Sequence, residues 1–330
     1  MSTTPPNSAY GEATLTTAHT VAVTALLRAR NRVRGALSVT GESAWQHTAI
    51  TFQHQLKATP ITDTTVDLIV RLGCPPAAAN CVRPALQHVE ALVYRADLSY
   101  EDHQRHHTAP DTTWRQGIDA ILDAYELTTD TALTGELDAL DAYFDLETRI
   151  VRGLETLTDD LVHATCYQRS SHIRFLARLA HHLAGMPADE EFLRLAAHVF
   201  ARDEITADRV TYESDLAEDS FNTVRLHAML HGPQGAADAQ RALCSRILGD
   251  LDTGLAQADR PTLLRFANAY LPRLTRRRKH RYAADPRPRP LYRPVPLALL
   301  RHHIRAQVPT SARLTPVPIP EPFPEPRQRA

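Results

Sequence analysis

The sequence predicts an all-α, single-domain fold, and three observations carry that expectation. Apolar residues recur at helical spacing over long segments, as in Val82, Leu86, Val89, Leu92 and Val93. Only 12 of the 330 residues are glycine, while Ala, Leu, Arg, Asp and His are abundant, so the Gly-rich turns and β-branched runs that sheets need are scarce. The periodic segments also end on helix stops: Gly73-Cys-Pro-Pro76, Gly185-Met-Pro187, Gly232-Pro233 and Asp259-Arg-Pro261.

Taken in order, residues 1–18 are polar and read as a flexible lead-in, and 19–36 as a first amphipathic helix. Residues 37–60 carry no clear pattern. Helices are expected over 63–72, 77–107, 112–130 and 136–164, the last on Leu137, Leu140, Phe144, Ile150, Leu154, Leu157 and Leu161. Further helices are expected from Tyr167 to Gly185 and over 189–216, 220–231, 235–257 and 260–274. The bundle is expected to close near residue 282. Arg273 to Arg281 form a basic run, and 12 of the 23 prolines fall in the last 45 residues. Residues 283–330 therefore read as a basic, Pro-rich, largely extended tail, with a short helix near Leu297–Ala306 and scope to dock on a protein partner.

Composition narrows the function classes. A net charge of −1 gives no global argument for nucleic acid, and the basic Tyr282- and Tyr292-containing stretch is surrounded by no recognisable nucleic-acid module, so no such partner is expected. No run reaches the roughly 18 apolar residues of a membrane span. No basic patch followed by an apolar run opens the chain, so no signal peptide is expected. The four cysteines (Cys74, Cys81, Cys166, Cys244) form no Cys-x-x-Cys pair and read as reduced thiols of a cytoplasmic protein.

Two acid-bearing helices hold the suggestive chemistry. Glu204, Asp208, Thr211 and Asp215 fall at i, i+4, i+7 and i+11, one oxygen-rich stripe suited to Mg²⁺, although a solvated face has the same spacing. The helix over 77–107 ends with Asp97 and Glu101 one turn apart and Asp102 beside them, where acids oppose the helix dipole by about 0.3–1 kcal/mol each. His103, His106 and His107 follow without a matching third ligand. Opposed across a cavity, two such helices can hold Mg²⁺ ions that grip a diphosphate, with apolar positions lining room for a hydrocarbon tail.

On these residues the chain resembles the class I isoprenoid synthases, the fold of trans-prenyl diphosphate synthases and class I terpene cyclases, over about residues 63–282. Asp97-Leu-Ser-Tyr-Glu101-Asp102 stands where the first Asp-rich motif would be. Tyr167-Gln-Arg169 resembles the region whose arginine senses diphosphate. Ala207-Asp208-Arg-Val-Thr211-Tyr-Glu-Ser-Asp215 resembles the Asn-Asp-x-x-Ser-x-x-x-Glu metal motif, and Phe221-Asn222-Thr-Val-Arg-Leu its sequel. Arg281-Tyr282 resembles the Arg-Tyr pair that closes over the diphosphate. The first motif lacks paired aspartates, because Ala96 precedes Asp97. Ala207 supplies no ligand in the second, where Glu204 or Asp203, one turn earlier, offers an oxygen instead.

The resemblance implies a helical bundle around a central cavity and an Mg²⁺-dependent terpene synthase-like enzyme that ionises an allylic prenyl diphosphate. It implies Asp97, Asp208 and Arg169 as catalytic residues; Asp97, Glu101, Asp102, Glu204, Asp208, Thr211 and Asp215 as metal ligands; Arg169, Arg281 and Tyr282 as diphosphate contacts; and Val93, Tyr94 and Tyr167 as pocket wall. Homodimers are usual in the family it resembles. Chain elongation with isopentenyl diphosphate, and a non-catalytic binding protein on the same fold, are the alternatives.

Overall fold

The computed structural model describes residues 47–270 and 296–307. Among these residues every regular element is a helix: α1 (Phe52–Arg71), α2 (Pro76–His106), α3 (Thr113–Ala124), α4 (Thr131–Val151), α5 (Asp159–Arg169), α6 (Ser171–Leu183), α7 (Glu190–Ala217), α8 (Thr223–Gln257), α9 (Arg260–Tyr270) and α10 (Leu297–Gln307). None is long and apolar enough to cross a membrane. The expected 19–36 helix, Arg281, Tyr282 and both domain boundaries lie outside the described residues.

Local chemistry sets the helix ends. The Thr51 side chain takes the His54 amide while His54 Nδ1 takes the Thr51 amide, a reciprocal cap that starts α1 well ahead of the expected residue 63. Pro76 opens α2, and His107 ends it in the left-handed conformation. Asp130, Thr158, Asp189 and Asn222 cap α4, α5, α7 and α8 through their side-chain oxygens. The expected single helix over 136–164 is two. Gly153 at φ 68° stops α4, Leu154 is 70% exposed, and Thr158 restarts the chain as α5. The patterns at 220–231 and 235–257 form one bent helix, α8, broken at Gly232 (φ 73°, ψ 166°) and followed by Pro233.

Three buried clusters hold the bundle together. The first joins α1, α2, α3, α4 and α6 around Trp114 and Phe144, with Tyr100 stacked on Phe144 at 4.7 Å. Each such side chain contributes roughly 1.5–3 kcal/mol by burial. The second joins α6, α7, α9 and the end of α8 around Phe192 and Phe266, and Ile304 of α10 is fully buried in it. Arg301 donates to the Leu255 and Ala258 carbonyls at 2.9 and 3.1 Å, so α10 caps the C-terminal end of α8. The short helix expected in the tail therefore exists and is docked on the bundle. The third cluster joins α4, α5, α7 and α8 through Ile150, Val162, Ile205 and Ile247. Between these clusters runs a polar seam.

Candidate functional site

The seam centres on Arg169, the last residue of α5. The chain breaks at Ser170, where the Ser170 hydroxyl and Arg174 Nη1 both donate to the Tyr167 carbonyl, at 3.1 and 2.6 Å. The break lets Arg169 reach α7. Its Nε lies 3.0 Å from Glu204 Oε2, and its Nη1 donates to Asp208 Oδ1 at 2.5 Å. Burial opposes the guanidinium charge, but Asp208 and Glu204 hold its pKa well above the ordinary value. The Phe221 ring lies 5.9 Å from the guanidinium carbon.

His172, three residues on, extends the network. Its Nδ1 is 2.9 Å from Glu90 Oε1 on α2, and its Nε2 is 3.5 Å from Glu204 Oε1. Burial works against the imidazolium, yet Glu90 and Glu204 hold its pKa at about 10, so it is charged at neutral pH. Burial alone would raise the Glu204 carboxyl; Arg169 and His172 bring it below its ordinary value.

Asp208 is fully buried and both its oxygens are spent. Oδ1 accepts from Arg169, and Oδ2 takes the Thr223 backbone amide at 2.9 Å, at the first residue of α8. Asn222 Nδ2 bridges the Asp208 carbonyl (2.7 Å) and Asp215 Oδ2 (2.8 Å), while Thr211 Oγ1 donates to the same Asp215 oxygen at 2.6 Å. The expected stripe on α7 thus divides: Glu204 and Asp208 turn inward to Arg169, whereas Thr211 is exposed and pairs with Asp215.

The acidic end of α2 divides in the same way. Asp97 keeps some accessible surface, yet burial raises its carboxyl pKa against the pull of Arg169, Lys57 and His172. Burial and Asp97 push Glu101 up to about 7, and burial, with Asp97, pushes the buried Glu147 of α4 up to about 8. Glu147 Oε2 has no hydrogen-bond partner. Asp102 turns away, exposed, to His106 (2.8 Å) and Thr108 (2.6 Å).

The other expected residues separate likewise. Tyr94 lies in the field of Glu90, Asp97, Glu204 and Arg169, and Val93 is buried in the first cluster. Tyr167 lies on the opposite side of α5 from Arg169, since two residues turn a helix by about 200°. Its hydroxyl bonds His198 Nδ1 at 2.7 Å and Asp250 at 3.2 Å instead. Arg174 and Arg178, which follow Arg169 in the chain on α6, both pair with Glu136.

Sequence reasoning missed Glu90, Glu147 and His172. Glu90, Tyr94, Asp97 and Glu101 repeat the i, i+4, i+7, i+11 spacing of Glu204 to Asp215, and that echo was the available signal. Glu147 follows Phe144 by three residues on an apolar face of α4, where a lone carboxyl is costly.

Whether these residues suit a divalent cation depends on the helix. Asp97 and Glu147 fit: they are mutually repelling carboxyls with raised pKa values, and Glu147 Oε2 is an unpartnered oxygen, which a cation would relieve. Glu101, raised by burial and by Asp97, joins them only by releasing Arg105, from which its Oε2 accepts at 2.9 Å. Asp208 and Asp215 do not fit, because their oxygens already serve Arg169, Thr223, Thr211 and Asn222. Among the described residues no three His, Cys, Asp or Glu side chains form a ready coordination shell. No family model, curated protein or solved structure matches this chain.

Proposed function

We propose that the protein is an Mg²⁺-dependent, class I isoprenoid-synthase-like enzyme acting on an allylic prenyl diphosphate. One observation carries the reading: acids of three helices far apart in sequence, Asp97 of α2, Glu147 of α4, and Glu204 and Asp208 of α7, all lie in the field of the single guanidinium of Arg169. Asp97, Glu101 and Glu147 are the residues that would hold Mg²⁺, whose charge would stabilise the departing diphosphate. Arg169 is the anion-binding group, freed from Glu204 and Asp208 as a diphosphate competes for it. His172, charged and held by Glu90, keeps Glu204 ionised and in place behind Arg169. Breaking the allylic C–O bond leaves a cation. Phe221, whose ring lies 5.9 Å from the Arg169 guanidinium carbon, and Tyr94 offer aromatic faces that can stabilise it, at about 0.5–2 kcal/mol per contact.

A second reading has its own support. The tie of both Asp208 oxygens to protein partners favours a binding protein that has kept the fold and lost turnover.

The test is incubation of purified protein and Mg²⁺ with C10, C15 and C20 allylic diphosphates, with and without isopentenyl diphosphate, and gas chromatography–mass spectrometry of the extracts. A hydrocarbon or terpene alcohol without isopentenyl diphosphate supports the proposal. A longer prenyl alcohol, formed only with isopentenyl diphosphate, assigns chain elongation. No product, with Mg²⁺-dependent diphosphate binding by calorimetry, assigns the binding protein. Neither product nor binding removes the reading altogether.

A further inference from the structure

A second polar site lies at the other end of α5. Asp159 is ten residues from Arg169, about 15 Å along the helix. It opens onto a pocket of about 670 Å³ lined also by His227, His231, Gly235, Asp238 and Arg246. His227 and His231 are one turn apart on α8, immediately before its bend at Gly232. Both imidazoles address one atom: Asp159 Oδ1 lies 2.8 Å from His231 Nε2 and 3.7 Å from His227 Nε2. His227 is only 1% exposed, and its Nδ1 has no partner. Nδ1 is not the nitrogen turned to Asp159, so with the ring's proton on Nδ1 the Nε2 lone pair faces the carboxylate oxygen, a contact that a cation between them would relieve. The neighbouring charges are engaged elsewhere. Arg246 pairs with Asp160 at 2.5 Å, and Asp238 pairs with Arg241.

We propose that His227, His231 and Asp159 bind a divalent transition-metal ion of the Zn²⁺ class. Two imidazole nitrogens at i and i+4 and one carboxylate oxygen are a borderline-soft donor set, and water from the open pocket completes the tetrahedron. The shell is not assembled beforehand because Asp159 Oδ1 itself sits where both Nε2 atoms point. Zn–N bonds are about 2.0–2.1 Å, so the carboxylate must turn aside to admit the ion. Its side chain is 62% exposed and can do so. The bound ion would pin the start of α5 to the segment of α8 before the bend. This site is independent of Arg169 and of the proposed catalytic function.

The test uses the full chain with Co²⁺, read by its visible d–d absorption, and Zn²⁺, read by calorimetry. One ion per chain is expected, with Zn²⁺ displacing Co²⁺. His231→Ala and Asp159→Asn, both at side chains with solvent access, should each weaken binding by about tenfold or more. Zn²⁺ should raise the unfolding temperature of the parent protein and leave that of His231→Ala unchanged, a comparison that also verifies that the variant folds. Saturable binding that both substitutions leave unchanged would overturn the assignment, as would no binding by the parent. Loss of the Co²⁺ band in Asp97→Asn with retention in His231→Ala would place the ion in the α2 site and overturn it equally.

Discussion

Arg169 and Asp208 meet at 2.5 Å across thirty-nine residues of sequence, and the second oxygen of Asp208 holds the first amide of α8. The pair joins α5, α7 and α8 at one point. The anion-binding role proposed for Arg169 and the structural role of the pair therefore fall on the same side chains, and substitutions there must be read on both scales.

Removing Arg169 leaves a fully buried carboxylate without its counter-charge. Breaking one side of a buried pair costs about 3–5 kcal/mol, so Arg169→Ala should lower the urea midpoint sharply. The double variant Arg169→Ala/Asp208→Asn should lose less than the single one, because the amide oxygen still takes the Thr223 amide and no charge is stranded. A single variant as stable as the parent protein would mean that Asp208 is protonated or hydrated there.

Glu147 should make stability depend on pH in an unusual direction. Its carboxyl is raised to about 8 by burial and by Asp97. A raised carboxyl favours the native state fully below its unfolded pKa, and that contribution fades as pH climbs through the folded value. One pKa unit is worth about 1.4 kcal/mol, so the protein should lose on the order of a few kcal/mol between about pH 5 and pH 9. Glu147→Gln should flatten the profile and be the more stable protein on the alkaline side. Denaturation at both pH values measures this, and parallel profiles would sink it.

Two glycines of α8 should respond to alanine with opposite signs. No atom crowds either one within 4 Å. Gly232, at φ 73° and ψ 166°, occupies backbone space open to glycine alone, so Gly232→Ala should destabilise by about 1–3 kcal/mol. Gly249 lies in the regular helix, and Gly249→Ala should stabilise by about 0.5–1 kcal/mol. Thermal melts of the two variants decide it. Equal shifts would mean that the bend is not fixed by Gly232.

Helix content was legible because apolar spacing and punctuation agree, most fully at α2, which Pro76 opens and His107 closes. Where they disagreed, spacing misled. Leu154 and Leu157 continue the rhythm of α4, but Gly153 and the Thr158 cap decide the break. Arg169, Glu204 and Asp97 were legible through their neighbours in sequence. Glu147 was not, as one carboxyl on an apolar face, and Glu90, though it opens a repeat of the α7 spacing, takes its meaning from His172, 82 residues away. Side-chain direction was the other blind spot. Asp102 stands one residue after Glu101 yet faces solvent, because consecutive helical residues diverge by about 100°.

That divergence gives a sharp test of the cation reading. Asp97→Asn and Glu101→Gln should each weaken Mg²⁺ binding and turnover by about tenfold or more, with helicity intact, whereas Asp102→Asn should change neither. Cation binding must also expel the protons that burial retains on these carboxyls. Glu101 titrates at about 7 in the empty site, so Mg²⁺ affinity should rise as pH climbs through that value. A group one pH unit below its pKa weakens the ion by about tenfold, so calorimetry near pH 6 and pH 8 should differ by at least that factor. Affinity that is flat with pH, or an Asp102→Asn variant as damaged as Asp97→Asn, would put the cation elsewhere. It would leave Arg169 and its acids as a purely structural strut.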